Sequence, residues 1–403
     1  LQVEPPNVVC YFVRPRADRL ASFAAESQLP ADASPFALAD ELVYQTTYAL
    51  NRRFYGDARY QAFVLSHGRN MLVLKAVAYA EDVLRYYRLQ DMTAHAWIGH
   101  HRYPTKGRVW HPGGAHPFLG MHEALVHNGD FANYAAVCAY LAQRGIYPLF
   151  QTDTEVSALV FDLHQRIYGY PTEYLIESLA PTTERDFALL DPERQQVYHQ
   201  IQRAHLHGSP DGPWFFIIAQ SAGSPETGPS HRLLGITDTS MLRPQVFALQ
   251  EGEASIGLCA SEKQGIDAVL SSLAAEDDRF WPRADRYWNA RGGSHTDGGA
   301  FVFEVRPDAD GEMELLCRDK FGQPVDAGLP QRAERPLAAK LSGPDVASSF
   351  TNAARPVPAF DADWRAVAKA LTSWDEPTLT TWLSGLVDTA AEGGAPRAAA
   401  LAT

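Results

Sequence analysis

The chain has 403 residues, 46% of them hydrophobic, which is enough to bury one large core with additions or two smaller ones. Its 35 Lys+Arg against 48 Asp+Glu give a net charge of −13 with no basic block, which repels phosphate backbones and argues against a nucleic-acid partner. Charged residues at 21% argue against disorder, and no apolar run approaches the roughly eighteen residues a membrane span needs.

The first residues, Leu1-Gln2-Val3-Glu4-Pro5-Pro6, carry neither a basic nor an apolar signal region, so no signal peptide is expected; lacking an initiator Met, the chain is expected to be processed or cut from something longer. Residues 8–13, VVCYFV, form an apolar β-branched and aromatic run that predicts a buried strand, with a helix to follow. Helical spacing at 38–48 predicts another helix, and the runs at 61–66 and 71–77 around His67-Gly68-Arg69-Asn70 predict a hairpin. A helix is expected at 80–87. The alternation at 94–100 predicts a strand that delivers His101-Arg102-Tyr103-Pro104-Thr105 at its end.

Residues 123–127 read as a short strand broken by a tight turn at Asn128-Gly129, and 133–144 as a helix closed by Gly145. Thr152 or Asp153 is expected to cap a helix whose apolar face carries Val156, Leu159, Val160, Leu163 and Ile167. Strands are predicted at 214–219, 233–236, 245–249, 255–260 and 300–305. After about Pro330 the composition shifts to Ala, Pro and Ser, which predicts a linker and then helices at 363–373 and 378–391. In the latter segment Trp364, Val367, Leu371 and Trp374 would form an apolar stripe suited to docking. The whole pattern predicts an α+β architecture of layers, not a Rossmann alternation.

Three polar clusters stand at strand ends or at a helix start: His101 to Thr105, His127-Asn128-Gly129-Asp130, and Thr152-Asp153-Thr154-Glu155. An Arg offers a planar fork for a carboxylate, a helix-start Asp can hold an ammonium, and an Asn amide beside a Gly N–H can donate two hydrogen bonds to an oxyanion. Alone, each has an ordinary reading as surface Arg, turn and cap. The set meets the needs of an enzyme that binds a free amino acid and attacks its side-chain amide. The histidines at 100, 101, 111, 116, 122 and 127 raise metal binding as a rival, but they lack H-E-x-x-H or a paired i, i+4 spacing, so no metal is expected. Cys10, Cys138, Cys259 and Cys317 stand far apart with no C-x-x-C pair, which argues against zinc or a cluster and fits a reducing, cytoplasmic setting.

In order and spacing, HHRYPT, HPF, LVHNGD and TDTE resemble the class II (N-terminal nucleophile) glutamine amidotransferases, especially their glutamate synthase-like branch. GRNMLVLKAV, TDTSMLRPQVFAL and LCASE extend the resemblance over roughly residues 60 to 305. It implies a four-layer αββα sandwich of the N-terminal nucleophile hydrolase type over residues 1–330, followed by the linker and helical extension at 331–403. By position, Arg102 would bind the α-carboxylate of L-glutamine, Asp153 its α-amino group, and Asn128 with the Gly129 N–H would form the oxyanion hole. Thr105 would line the pocket.

In that family the nucleophile is the thiol of the first mature residue, with its own α-amino group as base, and it opens a Cys-Gly-Ile strand. Here Cys10 is followed by Tyr11, so three explanations stand: the nucleophile segment lies upstream, removal of residues 1–9 exposes Cys10, or the domain is non-catalytic and serves glutamine sensing or complex assembly. The resemblance implies a glutaminase module that passes ammonia to a glutamate synthase-like partner carrying FMN and an iron–sulfur cluster. No cofactor motif is expected on this chain, and a hetero-oligomer is.

Overall fold

The computed structural model describes residues 8–27, 29, 33–56, 61–101, 111–223 and 228–326. All belong to the first of the two units into which the chain divides, Leu1–Ala333; the second, Glu334–Thr403, lies outside the described residues. The expected linker, the helices at 363–373 and 378–391 and the stripe of Trp364, Val367, Leu371 and Trp374 therefore fall outside them too.

In chain order the α-helices are α1 (Ala17–Glu26), α2 (Pro35–Phe54), α3 (Ala80–Tyr87), α4 (Tyr134–Ala142), α5 (Asp153–Asp162), α6 (Thr172–Leu179), α7 (Glu184–Phe187), α8 (Pro192–His205) and α9 (Lys263–Glu276). The strands are β1 (Phe118–Leu119), β2 (Glu123–Gly129), β3 (Trp214–Ser221), β4 (His231–Thr237), β5 (Val246–Gln250), β6 (Ile256–Ala260), β7 (Arg286–Trp288), β8 (Ala300–Pro307) and β9 (Met313–Asp319). They make a six-stranded sheet in the order β1-β2-β3-β4-β8-β9 and a three-stranded sheet in the order β6-β5-β7, antiparallel at every pairing. The architecture is α+β.

Period-two alternation along the strands sorts side chains between two apolar clusters. Trp214, Phe216 and Ile218 of β3 join Leu125 of β2 and the buried faces of α4, α5 and α6 through Val137, Leu141, Val156, Val160 and Ile176. The intervening Phe215 packs instead with Phe247 and Leu249 of β5 and Phe301 and Phe303 of β8, which joins the two sheets. Ala248 of β5 points the other way, onto Ile266 and Leu270 of α9. Gly235 of β4 permits the close approach between the sheets, since a Cβ there would sit 2.4 Å from the Phe247 ring.

α5 starts as its sequence predicts: Thr152 is the N-cap and its hydroxyl accepts from the Glu155 N–H at 3.1 Å. Val156, Leu159, Val160 and Leu163 are buried, but Ile167 is 49% exposed. The reason is a π-helical turn at Leu163–Ile167, whose wider spacing rotates Ile167 off the apolar face.

Several expected strands are not strands. Residues 8–13 are irregular and pair with no described strand; Phe12 is 100% exposed, and Cys10 is likewise exposed and not a buried core thiol. The runs at 61–66 and 71–77 flank a bend at Arg69-Asn70 without forming a ladder. Their backbone donors turn to side chains: Val64 N–H donates to Asn51 Oδ1 at 2.6 Å and Val73 N–H to Ser66 Oγ at 2.9 Å. At 94–100 the alternation survives in exposure, with Ala96 and Ile98 half-buried and Trp97 exposed, but no described strand pairs with it. An apolar alternating run specifies extended backbone; a ladder also needs a partner whose donors and acceptors are free. In the opposite direction, β2 does not break at Asn128-Gly129. It runs through Gly129, in register with Trp214.

Candidate active site

The end of β2 splits its side chains between the two sides of the six-stranded sheet. His127 shares the helix-facing side with Leu125, and Asn128 turns to the side that meets the second sheet. Gly129 follows at φ +129°, where a Cβ would lie 2.1 Å from the Pro213 carbonyl oxygen. Here glycine answers a close approach of β2 to the start of β3, in place of the hairpin turn that the Asn-Gly pair predicts.

Asp153 is the first residue of α5, where the helix dipole favours a carboxylate. Its Oδ1 accepts from the Thr154 N–H at 2.9 Å and lies 3.6 Å from His127 Nδ1. Thr154 Oγ1 is 2.7 Å from His116 Nε2 and 3.5 Å from His127 Nδ1. The start of α5, the end of β2 and the segment before β1 therefore meet at one place. His127 is buried there against Phe216 and Phe131, and its Nε2 has no hydrogen-bond partner among the described residues.

On the other side of β2, the Asn128 amide donates from Nδ2 to Ser261 Oγ at 2.8 Å. Ser261 follows β6 directly, so this bond ties the exits of one strand from each sheet.

Glu155, one helical step beyond Thr154, builds the loop that leads into α5. Its buried carboxylate accepts the N–H groups of Leu149, Phe150 and Gln151 at 2.6, 2.7 and 3.1 Å. Gln151 is held in the left-handed region at φ +59°. Burial pushes the Glu155 carboxyl up to about 7, against the lowering effect of the three N–H bonds and of Lys75. Lys75, likewise buried, is pushed down to about 7 by loss of water, with Glu155 acting in the other direction.

Of the residues singled out from the sequence, Asp153 lies against His127 on one side of β2, Asn128 turns to the other side onto Ser261, and Gly129 ends the strand. Arg102 and Thr105 lie outside the described residues. Cys10 sits in the exposed segment ahead of α1. Burial raises the thiols of the other three cysteines, Cys138 among them and Cys259 and Cys317 to about 12. Thr154, His116 and Ser261 were legible only as letters within TDTE, HPF and LCASE; their contacts depend on pairing across the sheets. Among the described residues no group of three or more His, Cys, Asp or Glu is arranged to hold a metal.

No family model matches the chain. It is 32% identical over 213 residues to an uncharacterized protein of Archaeoglobus fulgidus, covering 53% of each chain. It is 39% identical over 204 residues to the isomerizing glutamine–fructose-6-phosphate aminotransferase of Campylobacter jejuni, which takes in 48% of this chain and 32% of that one. The chain thus spans about half the length of the first relative and about a third of the second. Among solved structures, a glutamine phosphoribosylpyrophosphate amidotransferase from B. subtilis aligns over 48% of this chain and 28% of that one at 16% identity and a TM-score of 0.25, too low to carry an argument.

Proposed function

We propose that this chain is a glutamine amidotransferase domain of the N-terminal nucleophile class, a four-layer αββα sandwich that releases ammonia from L-glutamine. The observation that supports this best is the meeting of the LVHNGD and TDTE segments, where His127 Nδ1 at the end of β2 lies 3.6 Å from Asp153 Oδ1 and 3.5 Å from Thr154 Oγ1 at the start of α5, in a chain similar to a glutamine-dependent aminotransferase. The packing of helices, two sheets and α9 in succession agrees with the sandwich.

In this reading Arg102 grips the α-carboxylate of glutamine with its planar fork and Asp153 the α-ammonium, which orients the side-chain amide. A thiolate attacks the amide carbon, and the oxygen takes up the electron pair. Asn128 Nδ2–H and the Gly129 N–H donate to that oxyanion, and Thr105 closes the wall. The nucleophile's own α-amino group, having taken the thiol proton, returns it to the leaving nitrogen, so collapse expels ammonia and leaves a γ-glutamyl thioester, which water hydrolyses to glutamate and free thiol. The thiol in this reading is that of the first residue of the mature protein, Cys10 where residues 1–9 are removed.

The ammonia passes to a glutamate synthase-like partner, which would carry FMN and an iron–sulfur cluster in a cytoplasmic hetero-oligomer. Among the described residues no helix is long and apolar enough to cross a membrane. The named relatives act with fructose 6-phosphate, so acceptor trials with 2-oxoglutarate and with fructose 6-phosphate separate the two routes. The primary test is glutamine binding by calorimetry beside glutamate and ammonia release by the complete protein. Neither binding nor release would end the proposal; binding without release would move it to glutamine sensing.

A further inference from the structure

We propose that Ser261 is a positioning residue that holds the Asn128 amide in the orientation its oxyanion role needs, an inference that rests on the reading of Asn128 just given. An Asn side chain turns about a broad, roughly two-fold terminal torsion, so an unanchored amide presents its N–H and C=O ends to the same spot in turn. A preorganised oxyanion donor cannot afford that exchange, because a carbonyl oxygen facing the developing charge would repel it. The bond from Asn128 Nδ2 to Ser261 Oγ at 2.8 Å commits one of the two N–H groups, and the planar amide then fixes the direction of the other.

The anchor is itself held. Ser261 leaves β6, which pairs with β5 from Val246↔Ala260 to Gln250↔Ile256. Cys259, two residues back and on the same face of β6, packs into the cluster between the sheets. The partner strand β2 is paired with β3 up to Gly129. The hydrogen bond therefore spans two strands fixed by different sheets, and the amide cannot turn without breaking it. This gives a task to the Ser of the LCASE run, which no other part of the site uses. Ser261 acts through Asn128 and not on the substrate.

The test is a double-mutant cycle in the complete protein. Ser261→Ala should lower kcat for glutamine hydrolysis by about tenfold, less than the hundredfold or more expected from deleting the donor, with KM within about twofold. Ser261→Thr, which keeps the hydroxyl, should restore most of the rate. In an Asn128→Ala background, Ser261→Ala should have no further effect. Losses that multiply, or a raised KM at constant kcat, would overturn the positioning role and leave the functional reading intact. A wild-type protein that neither binds nor hydrolyses glutamine defeats the functional reading instead. The positioning claim is then still decided by the crystal structure of Ser261→Ala: a rotated or disordered Asn128 amide is expected, and an unchanged one overturns it.

Discussion

Lys75 and Glu155 line one small cavity between α2 and α5, and each moderates the cost of the other's burial. The Lys75 ammonium lies 4.0 Å over the Phe118 ring, a contact that replaces part of its lost hydration. This pair predicts the pH dependence of stability. Glu155 has a raised folded pKa, so its favourable contribution is present below its unfolded value of 4.5 and is lost as pH rises toward about 7. Lys75 has a lowered one, so its contribution is present above 10.5 and is lost as pH falls toward about 7. Together they make neutral pH the least favourable point for the pair. In Lys75→Met the recovery above pH 7 should disappear while the decline below it remains. Urea unfolding of both proteins from pH 5 to 10 checks this, and parallel curves would remove the assignment.

The architecture was legible wherever the chain supplies both the pattern and the partner. β3, β4, β5, β6 and β8, and the capped start of α5, follow from apolar runs between turn residues and a Thr-x-x-Glu cap. Residues 8–13 carry a similar apolar run and 94–100 an alternation, yet no described strand pairs with them, and pairing is a property of two segments. β1, β7 and β9 went unread: the first two are two and three residues long, and β9 has a polar-interrupted run, Met313 to Asp319, with little alternation. Asn128, Gly129 and Asp153 could be singled out because they stand at element ends, and their membership of one site is the proposal made above. Ser261 could not, since nothing in the sequence puts residue 261 against residue 128.

Glu177 and Lys320 form a fully buried ion pair, and Glu177 also accepts from Thr182 Oγ1 at 2.7 Å and Gln202 Nε2 at 2.6 Å. Lys320→Met should destabilise the domain by about 3–5 kcal/mol, because it leaves a buried carboxylate without its cation. Adding Glu177→Gln should return part of that loss, since the remaining group is neutral. Chemical denaturation of the single and double variants gives the comparison, and a loss within about 0.5 kcal/mol for Lys320→Met would contradict the pairing.

Gly129 and Gly145 both take positive φ, at +129° and +73°, but only Gly129 is crowded. Gly129→Ala would drive a Cβ into the Pro213 backbone and should cost about 3 kcal/mol or more. At Gly145 no atom lies within 4 Å of a built Cβ, so Ala there should cost only the left-handed penalty, about 1–2 kcal/mol. Unfolding midpoints in urea distinguish them. Equal losses would mean that backbone angle alone, and not the approach of β2 to β3, sets the requirement.

The proposed division of labour between binding and chemistry can be read from three substitutions in the complete protein. Arg102 and Asp153 are assigned to the two charged ends of free glutamine, so truncating either leaves the opposite charge on the ligand unpaired. Arg102→Ala and Asp153→Ala should each weaken glutamine by about 2–5 kcal/mol, well over tenfold in Kd. The Asp153 variant should also loosen the start of α5, where Oδ1 receives the Thr154 N–H, and Asp153→Asn separates that effect, because it keeps an acceptor while removing the charge. Asn128→Ala should behave differently: its amide meets mainly the tetrahedral oxyanion, so turnover should fall by roughly a hundredfold or more while ground-state binding stays nearly unchanged. Calorimetric binding beside ammonia release measures both quantities for each variant. Unchanged affinity in both charge variants would rule out the pocket, whereas equal loss of binding in all three would keep the pocket and take the oxyanion role away from Asn128.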